Sequence, residues 1–582
     1  MVSATGRYVL AFNGEIYNHE ALRKQHLPLQ VWKGRSDSET LLALIEKIGV
    51  EKVPAELTGM FAFIVWDQKK RCLHLVRDRF GEKPLYYGQQ DGYFFFTSDL
   101  KALLHCHKFK ASIDKEALAL YFRFLYVPSP FSIFEGICKC PVASIVTIDT
   151  ASMTLSTDQY WTIEEFESLE IDQNLSFSES VNQIETLLLE SVSHQMLADV
   201  PVGAFLSGGI DSSTIVSLMS EISRERVNTY CIGFSSDSYN EAPFAKKIAD
   251  HLGTNHTEYY IEDHELIPLV QSMSFSFDEP FADSSQIATY AVAERARQDA
   301  TVCLTGDGGD ELFGGYTRYV RARKMQRLRS ITGNVGRTLA SKIVNSTYTK
   351  STLNGINYFA ADDYPMSNQF NQFARMLQLL TKKAALDCYQ DMTSYWRYPF
   401  SPSLTAEPDL QAPMSFDSEI YKAAHPKYFQ KIDMNSYLLD DILCKVDRAC
   451  MGVSLESRVP LLDHKLANYV WSLPVQSMAQ DKTKQTVNKP LLFELASKRI
   501  PRELLKRPKQ GFGVPLHNWL AGPLKPWTTE LLSRDNFQKH GLLNQDVVDN
   551  LLKQHHKGNQ TVAPLVWSVV MFQAWYMSVY TA

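Results

Sequence analysis

One stretch of nine residues, Phe205-Leu206-Ser207-Gly208-Gly209-Ile210-Asp211-Ser212-Ser213, constrains what this chain can fold into more than any other. An apolar run ending at Leu206 leads into it, and Thr214 to Met219 continue beyond it. The pattern predicts a strand, a tight glycine turn and a helix. Such a turn gathers unpaired backbone N–H groups at a helix N-terminus, where the helix dipole also favours an anion. Gly208 and Gly209 let the backbone approach a phosphate closely. Ser207, Ser212 and Ser213 add hydroxyl donors. Asp211 is repelled by a phosphate unless a hard divalent cation such as Mg²⁺ bridges the two.

No Lys follows the glycines, so the loop is not of the GxxxxGK[ST] type. It resembles the SGGxDS pyrophosphate loop of ATP pyrophosphatases, which adenylate a substrate and release pyrophosphate. A second loop fits the same chemistry. After the expected strand Thr301–Thr305 comes Gly306-Asp307-Gly308-Gly309-Asp310-Glu311, with three carboxylates close together. Bunched acids repel one another unless a cation is near. Opposite Asp211 they complete a Mg²⁺ site on a triphosphate; a solvated acidic loop is the alternative. At the end of the expected strand Thr229–Phe234, Ile232 and Gly233 offer an apolar wall for an adenine.

From about residue 175 onward, expected strands at Gly203–Leu206, Thr229–Phe234, Thr257–Ile261 and Thr301–Thr305 alternate with helical segments, opened by a capping box at Ser176–Glu179. That rhythm predicts a doubly wound parallel sheet with its ligand at the carboxyl ends of the strands. Beyond about residue 320 the pattern is mainly helical. Residues 1 to about 150 read differently, as short β runs such as Tyr8–Phe12, Phe61–Trp66 and Ile145–Ile148 between turns. The polar stretch Thr162–Gln173 reads as a linker. The fold expectation is therefore two domains: an α+β unit of mostly antiparallel sheets over 1–160, then an α/β unit over 175–582.

With Lys+Arg 59 against Asp+Glu 65, the 582-residue chain has no basic excess to suggest nucleic acid. Nine scattered cysteines, several inside apolar runs, fit reduced thiols in a cytoplasmic protein. Cys138 and Cys140 lack the partners a zinc site needs. The uncharged stretch Leu565–Ala582 is long enough for a membrane helix, but its Ser, Gln and Thr residues and the lack of cationic anchors favour a buried core helix. Neither a nucleic acid nor a membrane is expected as a partner, and a homodimer is left open.

The ordered motifs FLSGGIDSS, CIGF, DEPFADSS, TGDGGDELFGGY, KVDRACMGVSLESRVPLLD and RPKQGFGVPLHNWL resemble the glutamine-hydrolysing asparagine synthetase family. FNGEIYNHEALR, SDSE, GMFAF, RDRFGEKPLYY and TSDLKALL resemble that family's glutaminase domain, of the N-terminal-nucleophile type. The resemblance implies ATP and Mg²⁺ as cofactors, and aspartate, ATP and ammonia or glutamine as small-molecule partners. Aspartate would be adenylated on its side-chain carboxylate, and ammonia would arrive through an internal tunnel. It assigns Ser207, Gly208, Gly209, Ser212 and Ser213 to the phosphates of ATP. Leu206, Ile232 and Gly306 go to the nucleotide pocket, and Asp211 and Asp310 to Mg²⁺. Asp307 is the candidate base, although family members can carry Glu there. Lys489 is the candidate cation for charge developing on the adenylate, with Lys484 next in line. Arg458 and Asp447 either orient the substrate or form internal salt bridges.

In the glutaminase half, Asn13 and Gly14 match oxyanion donors, and Glu15 and Asp37 match residues that hold the α-amino end of glutamine. The family nucleophile is a cysteine directly after the initiator Met, whereas residue 2 here is Val2 and the first cysteine is Cys72. Glutamine hydrolysis by the chain as given is therefore expected to fail. A longer natural protein, an ammonia-dependent enzyme and a decayed paralogue are the three explanations, and the intact remaining motifs favour the first. Two functional alternatives stand beside asparagine formation. One is an amidotransferase acting on another carboxylate, such as a uronic acid in surface-polysaccharide assembly. The other is a non-catalytic nucleotide-binding scaffold.

Overall fold

The computed structural model describes residues 1–166, 175–236, 239–344, 369–396, 401–405, 427–473, 489–506 and 513–581. The first half is built from antiparallel sheets. One has the order β1-β2-β3-β7-β8, comprising β1 (Tyr8–Ile16), β2 (Gly59–Asp67), β3 (Cys72–Arg77), β7 (Ser144–Asp149) and β8 (Thr154–Gln159). The other has the order β5-β4-β6, comprising β4 (Tyr86–Gln90), β5 (Tyr93–Thr97) and β6 (Ile137–Lys139). Strand β1 runs past the expected end at Phe12, carrying Asn13, Gly14 and Glu15 in full register with Ala62, Phe61 and Met60. The Asn-Gly pair there looks like a turn in sequence. Its glycine serves a close backbone approach instead, since a Cβ on Gly14 would collide with the Met60 carbonyl. The helix Asp37–Ile48 packs Leu41, Leu44 and Ile45 into the core beneath β1 and is capped by Ser36, whose hydroxyl accepts from Glu39 N.

The second half holds one parallel sheet of order β11-β10-β9-β12-β13, with β9 (Val202–Phe205), β10 (Asn228–Gly233), β11 (Asn255–Tyr260), β12 (Val302–Leu304) and β13 (Glu456–Arg458). Every pairing in it is parallel. Counted along the chain, the strands lie third, second, first, fourth, fifth, so the direction of winding reverses between β9 and β12. At such a switch the loops leaving two adjacent strands diverge and open a crevice at their carboxyl ends. The expected strands are all present, shifted by one or two residues. β13 goes beyond the sequence reading: two of its three residues are charged, so no apolar period marks it.

The helix Phe177–Gln195 opens on the capping box read from sequence: Ser176 N donates to Glu179 Oε2 at 2.8 Å, and Glu179 N donates to Ser176 Oγ at 3.2 Å. The uncharged C-terminal stretch forms the helix Ala563–Trp575, whose residues are all buried, followed by a π-helical turn over Tyr576–Tyr580. The segment Gln560–Tyr580 is long and apolar enough to cross a membrane, but 89% of its apolar stretch is buried inside the protein. Of the linker stretch, Ile163–Phe166 is a 3₁₀ turn and residues 167–173 lie outside the described residues.

Buried ion pairs join the halves. Lys83 Nζ lies 2.8 Å from Asp447 Oδ1, and Lys139 Nζ lies 3.2 Å from Asp440 and 3.3 Å from Glu279. Tyr86 OH donates to Glu279, while the N–H groups of Leu100 and Ile133 donate to Asp278 and Glu279. These side chains are almost fully removed from water, so both charges of each pair must be matched for the interface to form. A cavity remains between the halves, lined by Arg77, Glu82 and Tyr86 on one side and Leu439, Cys444 and Arg448 on the other.

Candidate active site

The crevice is built from the two loops that diverge at the switch point. After β9, Leu206 is buried and its N–H donates to Tyr230 O, tying the loop to β10. Gly208 turns the chain with φ +73°, a conformation that favours glycine, and a Cβ there would lie 2.8 Å from Ala245 N. Ser207 N donates to Ser212 Oγ at 3.2 Å, and Gly209 N donates to Ser207 Oγ at 3.3 Å. Gly209 caps the helix Ile210–Ile222, which presents Asp211 in its first turn. Ser213 is fully buried, and its Oγ has no hydrogen-bond partner among the described residues. Ile232 is buried near the end of β10. After β12, Gly306 packs so tightly on this helix that a Cβ would come within 2.6 Å of Ser212 N.

Lys489 closes the crevice. It stands just before the helix Pro490–Ala496 with φ +52°, a left-handed conformation costly for a residue with a Cβ. Its side chain is buried, and its ammonium contacts Asp211 Oδ2 and lies 2.6 Å from Asp310 Oδ1. Burial opposes the charge on this ammonium, but the two carboxylates outweigh it and raise its pKa. A Cβ on Gly315 would collide with both Asp310 and the Lys489 stem, so this glycine makes the room for the contact. Three segments far apart in sequence thus bring two carboxylates and one ammonium to a single point. Lys484 lies outside the described residues, as does the stretch 507–512 of the RPKQGFGVPLHNWL motif.

Asp307 sits beneath this point, its carboxyl held above the usual range by burial, with the charge of Lys445 opposing the shift. Lys445 Nζ donates to Asp283 Oδ2 at 2.9 Å and to Ser285 Oγ at 2.8 Å. Asp283 is pulled down to about 2, its burial outweighed by Lys445. Neighbouring Asp441 is pushed well up, by burial first and by Asp283 second. This Asp283–Lys445–Asp441 cluster was not singled out in the sequence: Asp283 and Lys445 sit inside two quoted motifs and Asp441 shortly before the second, with nothing to show that the motifs meet. Glu311, beside Asp310, is pushed up to about 7 by burial and by Asp310, and accepts from Tyr316 OH at 2.7 Å.

The four glutaminase-type residues gather elsewhere, at the end of β1. Asp37 Oδ2 accepts from Ile16 N at 2.9 Å, which places it beside Glu15. Burial and the Asp37 charge push Glu15 up to about 7, against the pull of Arg458. Asn13 is exposed on the same strand. Arg458, on β13 of the other half, reaches Glu15 at 3.8 Å and Glu456 at 2.7 Å, and donates to the carbonyls of Gln195 and Leu197. Both Arg458 and Asp447 are therefore held in internal ion pairs.

Comparison with known proteins places this architecture in a class that couples a glutamine amidotransferase domain to an asparagine synthase domain. Residues 183–577 match the family model for asparagine synthase, and residues 1–161 match the glutamine amidotransferase domain. The asparagine synthetase [glutamine-hydrolyzing] 1 of Bacillus subtilis is 30% identical over 571 residues, covering 98% of this chain and 85% of that protein. The asparagine synthetase [glutamine-hydrolyzing] 3 of the same organism is 25% identical, covering 98% and 88%. Amidase chry2 of Gibberella zeae is 25% identical, covering 92% and 82%. Among solved structures, the glutamine phosphoribosylpyrophosphate amidotransferase from B. subtilis aligns over 46% of this chain and 74% of its own, at 12% identity and a TM-score of 0.22. The chain belongs to the asparagine synthase family, and it is an enzyme of the ligase class.

Proposed function

We propose that the chain adenylates the side-chain carboxylate of aspartate with ATP and transfers ammonia to the adenylate, giving asparagine, AMP and pyrophosphate. The observation that carries this reading is the convergence of Asp211, Asp310 and Lys489 at the carboxyl ends of β9 and β12. A carboxylate at neutral pH is a poor electrophile. One of its oxygens attacks the α-phosphorus of ATP, the bond to the bridging oxygen breaks, and pyrophosphate leaves. The lone pair of ammonia then attacks the acyl carbon, a proton passes to Asp307, and AMP departs with the bonding electrons.

The loop Ser207–Gly209 with Ser212 and Ser213 is suited to the departing pyrophosphate. Leu206, Ile232 and Gly306 border the nucleotide. Lys489 supplies a buried positive charge where negative charge develops. The raised proton affinity of Asp307 suits a base. Asp211 and Asp310 fit a Mg²⁺ ion: their oxygens already converge on one cationic point, and no third His, Cys, Asp or Glu joins them among the described residues. Mg²⁺ takes one or two carboxylates and completes its shell with phosphates and water, and there it would neutralise triphosphate charge.

We take residues 1–160 as the glutaminase-type domain and 175–582 as the synthetase domain. Asn13, Gly14, Glu15 and Asp37 form the glutamine-facing part, and the cavity between the halves is the route for ammonia. The setting is the cytoplasm. Pyrophosphate release with saturating ATP and ammonium tests the reading across a panel of aspartate, glutamate and a uronic acid. Aspartate-dependent release is expected. Release with the uronic acid alone moves the acceptor to another carboxylate, and ATP binding without release for any of them makes the chain a nucleotide-binding scaffold.

A further inference from the structure

Residues 317–344 carry eight Arg and Lys and no Asp or Glu, in a chain whose net charge is −6. They form the helix Thr317–Val344, broken at Gly333, whose φ 53° and ψ −146° are not helical. One side of this helix is accounted for. Tyr319 and Ala322 pack with Leu379, and Ala340 packs with Leu377 and Leu380. Arg318 pairs with Asp433 at 2.7 Å, and Arg329 donates to the carbonyls of Lys382, Lys383 and Ala384.

The opposite side is apolar and cationic together. Before the break, Val320, Lys324, Arg327 and Ile331 recur every three or four residues and so share a face. After it, Val335, Leu339 and Lys342 do the same. Ile331 is 83% exposed, Val335 80% and Leu339 60%. Lys324, Arg327 and Lys342 are exposed beside them. A globular surface rarely leaves aliphatic side chains so open in a row.

We propose that this helix docks on an anionic phospholipid surface, lying in the interface plane with its aliphatic residues among the acyl chains and its cations on the headgroups. Charge complementarity selects the partner: a surface helix bearing only cations is attracted to anionic lipid. The aliphatic row selects lipid over nucleic acid, which would pair the cations and leave Ile331, Val335 and Leu339 in water. The break at Gly333 lets the two segments seat independently. This departs from the sequence-based expectation of no membrane partner, which weighed spanning segments such as the C-terminal stretch and not a local run of surface cations.

Co-sedimentation of the full chain with vesicles tests the proposal. Binding is expected to vesicles of phosphatidylcholine with phosphatidylglycerol, not to phosphatidylcholine alone, and to weaken as salt rises. Each cation removed lowers binding about five-fold, so Lys324→Glu with Arg327→Glu should cost on the order of 10-fold or more. Val335→Asp with Leu339→Asp should abolish binding, and the milder Val335→Ser with Leu339→Ser should weaken it, both with pyrophosphate release unchanged. No binding to the anionic vesicles overturns the proposal, as does equal binding to both vesicle types or wild-type binding by the aspartate variant. Binding to a soluble RNA but not to the vesicles overturns it as well.

Discussion

Lys83 Nζ lies 2.8 Å from Asp447 Oδ1, a buried ion pair that spans 364 residues and joins the antiparallel half of the protein to the parallel half. Burial opposes the charge on Lys83, but Asp447 outweighs it and raises its pKa. Asp447 lies on the helix Cys444–Met451, which also carries Lys445 of the cluster beneath the crevice. A contact at the domain boundary and a contact near the proposed chemistry thus share one turn of helix.

Breaking that pair from one side strands a buried charge. Lys83→Met is expected to destabilise the protein by about 3–5 kcal/mol. The double variant Lys83→Met with Asp447→Leu should recover most of the loss, because neither partner then leaves a charge behind. Thermal unfolding of the two singles and the double measures this, and equal losses in all three would rule out a desolvation origin.

Asp211→Asn and Asp310→Asn should each lower pyrophosphate release on the order of 10³-fold, since both carboxylates are assigned to the cation that offsets triphosphate charge. Release from either variant near that of the parent protein refutes the assignment.

Lys489→Ala should lower kcat far more than it weakens ATP binding, because a charge acting on the developing adenylate favours the transition state selectively. Steady-state kinetics with Lys489→Arg alongside separate charge from shape. If both variants keep most of kcat, the lysine is structural.

Gly315→Ala is expected to mimic part of the Lys489 defect without touching any charge. A Cβ there collides with Asp310 and the Lys489 stem, so one of them must move. A fall in kcat with little change in melting temperature is the expected result. Unchanged turnover would show that the ammonium position is not critical.

Glu15 gives a pH signature. Its carboxyl is pushed up from 4.5 to about 7, by burial first and by Asp37 second. The folded chain therefore binds this proton more tightly than the unfolded chain does. The contribution to stability is full below about pH 4.5 and is lost as pH rises towards about 7. Glu15→Gln should flatten that part of the stability profile in denaturant titrations across the window. An unchanged slope would mean that Glu15 titrates normally.

The parallel strands and the loop Leu206–Ser213 were legible because a glycine turn between an apolar run and a helix has few other meanings. β1 was cut short because Asn13-Gly14 has the composition of a turn, and only the close approach of Met60 explains why a glycine sits inside a strand. β13 left no trace, since three residues with two charges carry no period. Lys489 could be named from its motif, but its contact with Asp211 and Asp310 depends on tertiary packing that brings residues 211, 310 and 489 together. The run of cations on Thr317–Val344 was present in the sequence, but weighing membrane-spanning segments does not register a local run of surface cations.

The boundary ion pairs also bear on how such a protein can be taken apart. Lys83 and Lys139 belong to the first half, while Asp447, Asp440 and Glu279 belong to the second. A gene fission at the linker would hand the synthetase fragment three carboxylates and keep both lysines on the other piece. Recombining modules from two relatives carries the same requirement, because a transplanted partner must bring cations that register with those acids. The halves are therefore expected to fit only as a matched set, so that an exchange between relatives succeeds only when the boundary residues travel together.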